Sequence, residues 1–311
     1  MTECMAAERR NCDEMTGLVF SGGGGKGAYE IGVWQALEEI GMTKKICGVS
    51  GASVGALNAA LFGMRDLNNA RTAWESVFPQ KILTPGNLLF GLLLNHASEA
   101  AAGGFFSPDG LEGLIDEYIR PYSVRSFCGS VYAACTELCG QPRCRFEDFA
   151  AVFGEGSARM IFAAFLRAVC YVGQIKKTGK GEYFDLTKQS GERMRDILIA
   201  SAAIPLVFPT AEIDGREFAD GGMCDNTPIR PLYDDGIRDF IVVYLDRGKR
   251  TKKRKYPEAR ILDISPSRKM GSLFGGTLNF SSENIKALIE LGYRDAKEKL
   301  SATVDIKRDV W

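Results

Sequence analysis

A short apolar segment that stops at glycines and leads straight into a helical segment occurs twice near the start of the chain, and it limits the possible folds severely. The first copy is a strand candidate from Gly17 to Ser21, with a helix predicted from Ala28 to Gly41. The second is a strand candidate from Ile46 to Ser50, with a helix predicted from Ser53 to Met64. Apolar residues recur at helical spacing in both predicted helices. Such alternation predicts an α/β fold with a mainly parallel sheet covered by helices.

The rest of the chain contains further strand and helix candidates. The predicted helices are Asn69 to Val77, Leu111 to Tyr118, Glu192 to Ala203 and Ser282 to Leu300, the last begun by a serine cap. The predicted strands are Ser130 to Ala134, two short strands within Ala211 to Ala219 around an Asp214-Gly215 turn, Asp239 to Leu245, and Arg260 to Ile264. No internal repeat or long linker is visible, so we expect a polar tail over residues 1–14 and a single domain over residues 15–311.

Composition and charge narrow the function classes. Of the 311 residues 45% are apolar, enough for a large core, and 39 basic residues balance 39 acidic ones. The chain has no net positive charge that would attract nucleic acid, so we expect no nucleic-acid partner. The first sixteen residues lack the apolar core of a signal peptide, and nine scattered cysteines are typical of reduced thiols. We therefore expect a cytoplasmic protein that at most touches a membrane surface.

A serine between two glycines stands where the pattern places a strand-to-helix turn. The segment is Gly51-Ala52-Ser53-Val54-Gly55. Small neighbours are needed at such a sharp turn because larger side chains would collide there. A helix N-terminus stabilises the negative charge that develops in acyl transfer, and the Val54 amide is one candidate donor. The motif favours a nucleophilic serine, although an N-cap serine in a tight turn has the same local pattern.

The glycine loop Gly22 to Gly27 lies between the first strand and the first helix, and its amides could converge on an anionic oxygen. A Walker loop is disfavoured because Gly27, not Ser or Thr, follows Lys26. A dinucleotide site is disfavoured because no acidic residue occurs between Glu39 and Asp66. An oxyanion hole and a purely structural turn remain open.

A serine nucleophile needs a proton acceptor, and the chain has a single histidine, His96. His96 follows an apolar segment and does not stand at the end of a predicted strand. The base is then expected to be a carboxylate. Asp-Gly pairs begin at four aspartates, of which Asp109, Asp214 and Asp235 are interpreted as ordinary turns. Asp220 differs because it follows a short strand and precedes two glycines. The three cysteines Cys135, Cys139 and Cys144 have no metal-site spacing.

Three motifs now stand in order: Gly22 to Gly27, Gly51 to Gly55, and Asp220-Gly221-Gly222. Together they resemble the patatin-like phospholipases. The segments Ser201 to Pro205 and Asp225 to Ile229 are also similar to that family, and the likeness covers about residues 15 to 245. The C-terminal strand and helix, residues 246–311, follow the motif-bearing part.

The resemblance implies a three-layer α/β/α fold and hydrolysis of acyl esters in phospholipids or related lipids, without metal or organic cofactor. It makes Ser53 the nucleophile, Asp220 the base, and the amides of Gly23 and Gly24 the oxyanion hole. Lys26 would support the loop or face a lipid phosphate. The remaining motif residues would support the loops, namely Gly22, Gly25, Gly27, Gly51, Gly55, Gly221 and Gly222.

Several alternatives stay open. A lipid-binding or regulatory protein with little turnover could retain the same motifs. Leu88 to Leu94 fits a buried helix segment or a lid. Arg247 to Lys255 has seven basic residues in nine, which is typical of a solvated loop but would also suit anionic headgroups.

Overall fold

The computed structural model describes residues 15–76, 107–139, 172–205 and 207–308. The predictions for His96, for Leu88 to Leu94 and for Cys144 therefore lie outside the described residues.

The described strands form one eight-stranded sheet in the order β5-β6-β3-β2-β1-β7-β8, with β4 beside β3. Pairing is parallel from β3 through β2, β1 and β7 to β8, and antiparallel where β3 meets β4 and β6 and where β5 meets β6. The strands are β1 (Thr16–Phe20), β2 (Ile46–Ala52), β3 (Ser130–Glu137), β4 (Lys180–Asp185), β5 (Ala211–Ile213), β6 (Arg216–Asp220), β7 (Asp239–Val243) and β8 (Arg260–Ile264).

Apolar side chains cover both faces of the sheet, because successive residues of a strand point to opposite faces. Leu18 and Phe20 belong to the larger core cluster, whereas Val19 between them packs with Leu232 in a second cluster. The main helices are α1 (Ala28–Glu39), α2 (Val54–Gly63), α3 (Leu67–Ser76), α4 (Asp109–Tyr118), α5 (Pro121–Arg125), α6 (Gly191–Ser201), α7 (Arg230–Asp234) and α8 (Ser282–Arg308). The predicted α/β/α class with a mainly parallel sheet is confirmed.

The central strand β3 joins the parallel and antiparallel parts of the sheet. Its residues 132–134 pair with both β2 and β4, and residues 135–137 pair with both β4 and β6. Since a strand has two edges, β2 and β6 must share the edge opposite β4. There Ala52 at the end of β2 faces Ala134, and Asp220 at the end of β6 faces Cys135. The carboxyl ends of two sequence-distant strands therefore meet.

Most predicted elements are present with small shifts in their ends, and Gly41 ends the α1 segment in the left-handed region, with φ 72°. One interpretation was wrong: Asp109 begins α4 and is not an ordinary turn. The serine cap of α8 is Ser281, whose Oγ accepts from the Asn284 amide. Strand β4 was not predicted, because its sequence mixes charged residues with aromatic ones in a half-exposed position. None of the helices within the described ranges is long and apolar enough to cross a membrane.

Candidate active site

Ser53 occupies a strained turn between β2 and α2. Its backbone has φ 56° and ψ −129°, a left-handed value that side-chain-bearing residues rarely adopt. A Cβ on Gly51 would lie 1.9 Å from the Gly55 carbonyl oxygen, and a Cβ on Gly55 would lie 2.5 Å from that of Phe20. Both flanking positions therefore require glycine, which gives the steric reason for the motif.

Ser201, at the end of α6, fixes this turn from behind. Its Oγ accepts a hydrogen bond from the Ser53 amide (3.0 Å) and donates one to the Ala134 carbonyl (2.6 Å). The Ser201 side chain is fully buried, so water cannot replace either bond. Ser201 thereby links the turn at Ser53 to β3, the strand that pairs with the ends of both β2 and β6.

The glycine loop passes directly beside Ser53, because β1 and β2 are adjacent parallel strands. A Cβ on Gly22 would lie 3.1 Å from the Ser53 Cβ. The Gly22 amide donates to the Asn226 carbonyl (3.1 Å), but the amides of Gly23 and Gly24 have no acceptor among the residues described. Gly24 also begins a 3₁₀ helix (Gly24–Gly27), whose first amides lack intrahelical partners. Two amide donors are thus available close to Ser53.

Asn226 lies between the glycine loop and the loop after β6. Its Nδ2 donates to the Gly22 carbonyl (3.1 Å). A Cβ added to either Gly22 or Gly222 would come within 2.4 Å of the Asn226 Oδ1. One asparagine therefore sets the spacing of two loops that are almost 200 residues apart in the chain.

Asp220 is the last residue of β6 and is 6% exposed. Its backbone is held on both sides, because its amide donates to the Ala203 carbonyl and its carbonyl accepts from the Thr136 Oγ1 (both 2.9 Å). Gly221 follows without a side chain, since a Cβ there would lie 2.0 Å from the Ala134 carbonyl oxygen. The position of this carboxyl is therefore set by the sheet.

The two oxygens of Asp220 differ in their partners. Oδ1 accepts from the Gly222 amide (2.7 Å), whereas the buried Oδ2 has no hydrogen bond of standard geometry among the described residues. Burial raises the pKa of Asp220 to about 6, while the Ser53 side chain and the Gly222 amide lower it by hydrogen bonding. The Ser53 side chain therefore lies close enough to this carboxyl to affect its pKa.

Lys26 extends from the glycine loop toward the loop after β7. Its Nζ forms an ion pair with Asp246 (3.5 Å), and its side chain is 11% exposed. A Cβ on Gly276 would lie 2.9 Å from the Lys26 Cε, so the stem of this lysine packs under the segment that precedes α8. The ion pair between Lys26 and Asp246 therefore connects the glycine loop with the loop that follows β7.

An apolar cavity adjoins the serine. Ser53 and Gly24 line it at one end, and residues of α2 as far as Leu61 line it along its length. Eight helical residues span about 12 Å. The end of α4 closes the region beyond Leu61, because the Arg120 amide donates to the Met64 Sδ (3.1 Å) and Asn69 donates to the Tyr118 carbonyl (2.9 Å). The lining of the cavity is predominantly apolar.

A buried polar network forms part of the cavity wall. Asn58 donates to the Gly27 carbonyl (3.0 Å) and to Glu30 Oε2 (2.7 Å), and Trp74 Nε1 donates to Asn58 Oδ1 (2.8 Å). Burial raises the pKa of Glu30 well above its usual value, while hydrogen bonds from Asn58 and Ser21 oppose that rise. Asn58 therefore joins the end of the glycine loop to two helices that form the cavity. No cluster of histidine, cysteine or carboxylate side chains suited to a metal ion occurs within the described ranges.

The sequence profile of the Patatin-like phospholipase family matches residues 18–233, well over half of the chain. The chain belongs to the patatin-like phospholipase family. Two similar curated proteins are fungal. Lysophospholipase NTE1 of Cryptococcus neoformans is 25% identical over 260 residues, which are 83% of this chain and 13% of that protein. Lysophospholipase nte1 of Aspergillus terreus is 48% identical over 54 residues, which are 17% of this chain and 3% of that protein. The chain thus spans a small part of these relatives.

Two solved structures resemble the patatin-like chain at low sequence identity. VipD from Legionella pneumophila has a TM-score of 0.48 and 16% identity, covering 93% of this chain and 67% of VipD. Human GIVD cytosolic phospholipase A2 has a TM-score of 0.45 and 10% identity, covering 99% of this chain and 64% of that chain.

The patatin-like fold brings together three of the predicted motifs, those of Ser53, of the glycine loop and of Asp220. Sequence reasoning missed the residues that hold them, namely Ser201, Thr136 and Asn226. Ser201 and Asn226 fall in segments that resemble the family, so a signal for them was present. Thr136 had none, because a threonine in a strand is an ordinary β-former.

Proposed function

We propose that this protein is a serine lipid acyl hydrolase of the phospholipase A or lysophospholipase type that uses a Ser53/Asp220 dyad. The observation that carries the proposal is a buried carboxyl next to a serine at the end of an apolar cavity, with one oxygen that has no hydrogen-bond partner among the described residues. Membership of the patatin-like phospholipase family and the similarity to lysophospholipases support the lipid substrate class.

In the first half of the reaction, the Ser53 Oγ attacks the ester carbonyl carbon and its proton passes to Asp220. The amides of Gly23 and Gly24 hold the oxyanion, with the Val54 amide at the start of α2 as a further candidate donor. The tetrahedral intermediate then collapses, the bond to the alcohol breaks, and Asp220 returns the proton to the departing alcohol oxygen. An acyl-serine remains, with its chain in the cavity.

In the second half, Asp220 takes a proton from water, and the resulting hydroxide attacks the acyl-serine carbonyl. Collapse of this intermediate breaks the ester bond to Ser53, the proton returns to Ser53, and the fatty acid leaves. The aspartate must be ionised at the start of each half. Because its pKa is about 6, this condition is met at neutral pH, where the base is also stronger than an ordinary carboxylate.

The proposal is tested by replacing Ser53 with alanine. We expect Ser53→Ala to lose hydrolysis of p-nitrophenyl butyrate and of lysophosphatidylcholine by at least about 10²-fold, since alanine has no group that can form the acyl intermediate. A matched control is Ser126→Ala, because Ser126 is exposed and lies after α5, away from the cavity. Equal activity of the two variants would refute the assignment of the nucleophile.

Two further measurements separate the alternatives. A fluorophosphonate probe should label the wild-type protein but not Ser53→Ala, whereas a lipid-binding protein without turnover would not trap the probe in either form. His96→Ala should retain activity, because the proposed base is a carboxylate. Loss of activity in His96→Ala together with full activity in Asp220→Asn would instead establish a histidine as the base.

A further inference from the structure

The loop between β7 and β8 leaves the sheet at the same edge as the proposed active site. Strands β1, β2, β7 and β8 are parallel, so the segments that follow their carboxyl ends lie along one edge. The glycine loop follows β1 and Ser53 follows β2. Residues 246–252 follow β7 on that edge before the chain returns to begin β8 at Arg260.

Exposed cations concentrate in this loop. Arg247, Lys249, Arg250 and Lys252 are all exposed, and we call these four residues the basic edge. Within the described part of the chain, Lys249 pairs with Asp246 (2.9 Å), but no carboxylate lies within ion-pairing distance of the other three. These three cations lie close together in one short loop, in a chain whose net charge is zero. They create a local positive potential.

The middle of the loop between β7 and β8 is attached to the sheet. Thr251 contacts Tyr244 through its hydroxyl, and both its amide and its hydroxyl donate to Asp263 Oδ1 (3.4 and 3.2 Å). Asp263 pairs in register with Val242, close to the carboxyl ends of both strands. The basic edge is therefore held near the edge of the sheet that carries Ser53, and does not extend away from it.

One carboxylate connects the basic edge with the glycine loop. Asp246 pairs with Lys249 of the basic edge and with Lys26 of the glycine loop, at 2.9 and 3.5 Å. Ionic contacts also lower the pKa of Asp246 although its partial burial raises it, so the carboxylate remains charged. The basic edge and the glycine loop are thus joined through one carboxylate.

We propose that the basic edge is a docking surface for an anionic phospholipid bilayer, which it holds against the edge of the sheet that carries Ser53. The charge suits lipid phosphates and carboxylates, and the neighbouring apolar cavity suits the chains that those headgroups carry. A nucleic acid would use the charge but not the cavity. The proposal extends the proposed function, but it concerns binding and can be measured without turnover.

The test uses the full chain carrying Ser53→Ala, so that the vesicles stay intact. Flotation is measured with phosphatidylcholine vesicles and with vesicles of 70% phosphatidylcholine and 30% phosphatidylserine. We expect binding to the anionic vesicles that 0.5 M salt reverses. In a triple variant, Arg247→Gln, Arg250→Gln and Lys252→Gln, binding should fall by about 100-fold, because each surface cation contributes about a factor of five.

The matched control removes the same charge at the opposite edge, through Lys44→Gln, Lys45→Gln and Arg125→Gln. Lys44 and Lys45 are exposed and precede β2, and the exposed Arg125 precedes β3. The control should bind anionic vesicles as the parent does. Equal loss in both triple variants, or no preference of the parent for anionic vesicles, would overturn the proposal. So would tighter binding of a single-stranded RNA that is lost in the basic-edge variant.

A second measurement separates this proposal from the proposed function. With Ser53 restored, the basic-edge variant should hydrolyse soluble p-nitrophenyl butyrate at the wild-type rate but hydrolyse anionic vesicles more slowly. Absence of hydrolysis in every form would refute the proposed function and leave the flotation result standing. Unchanged hydrolysis of anionic vesicles would refute the docking role alone.

Discussion

Replacement of Asp220 by asparagine should abolish turnover and at the same time stabilise the folded protein at neutral pH. Asparagine keeps the shape of the side chain, and its Oδ1 can still accept from the Gly222 amide. It cannot take a proton from Ser53, so kcat for short esters should fall by at least about 10²-fold. It also removes the cost of ionising a buried carboxyl.

The size of the stability gain follows from the pKa. Asp220 has a pKa of about 6 in the folded protein against 3.8 for an ordinary aspartate, because burial disfavours its charged form. A carboxyl with a raised pKa stabilises the fold fully below pH 3.8, and that contribution is lost as the pH rises through about 6. About two pK units correspond to roughly 3 kcal/mol in the free energy of unfolding.

The assay is urea unfolding of wild type and Asp220→Asn at pH 4.5, 6 and 8. The stability of the variant relative to wild type should increase with pH, approaching the full roughly 3 kcal/mol by pH 8. Asp109→Asn is the control, since Asp109 is an exposed aspartate that also precedes a glycine. It should gain no stability between pH 4.5 and 8.

Two results would contradict this reasoning. If the stability difference between Asp220→Asn and wild type does not change with pH, the carboxyl does not carry the raised pKa that burial imposes. If wild-type kcat/KM for a soluble ester does not rise with pH through an inflection near pH 6, Asp220 is not the base.

Other substitutions test the support of the site and the length of the cavity. Ser201→Ala leaves the Ser53 amide and the Ala134 carbonyl without their buried partner, so unfolding measurements should find a loss of roughly 1–3 kcal/mol, with a lower kcat. Unchanged stability and kcat would mean that Ser201 does not hold the turn. Leu61→Phe fills the cavity about 12 Å from Ser53, so hydrolysis of long-chain lysophospholipids should fall while p-nitrophenyl butyrate hydrolysis persists. Equal effects on long and short esters would contradict the course of the cavity along α2.

The sequence was sufficient to predict the local part of the fold. A run of apolar residues that ends in glycines predicts a buried strand and its turn, because both depend on residues close in the chain. The elements around Ser53 and the glycine loop were therefore found with small errors at their ends. Strand β4 was missed because Lys180, Glu182 and Asp185 obscure the pattern of a strand that pairs along one edge of β3.

The residues of the site divide in the same way. By itself the sequence determined the turn at Ser53, the glycine loop and the presence of a single histidine, which together favour a carboxylate base. Four aspartates precede a glycine, and their local sequences did not decide among them; the resemblance to a family selected Asp220. In the fold Asp109 begins a helix. Asp220 instead pairs with Cys135, whose neighbour Ala134 pairs with the end of β2. Only the tertiary structure decided that proximity and the supporting roles of Ser201, Thr136 and Asn226, because each depends on the register of strands far apart in the chain, which no local pattern encodes.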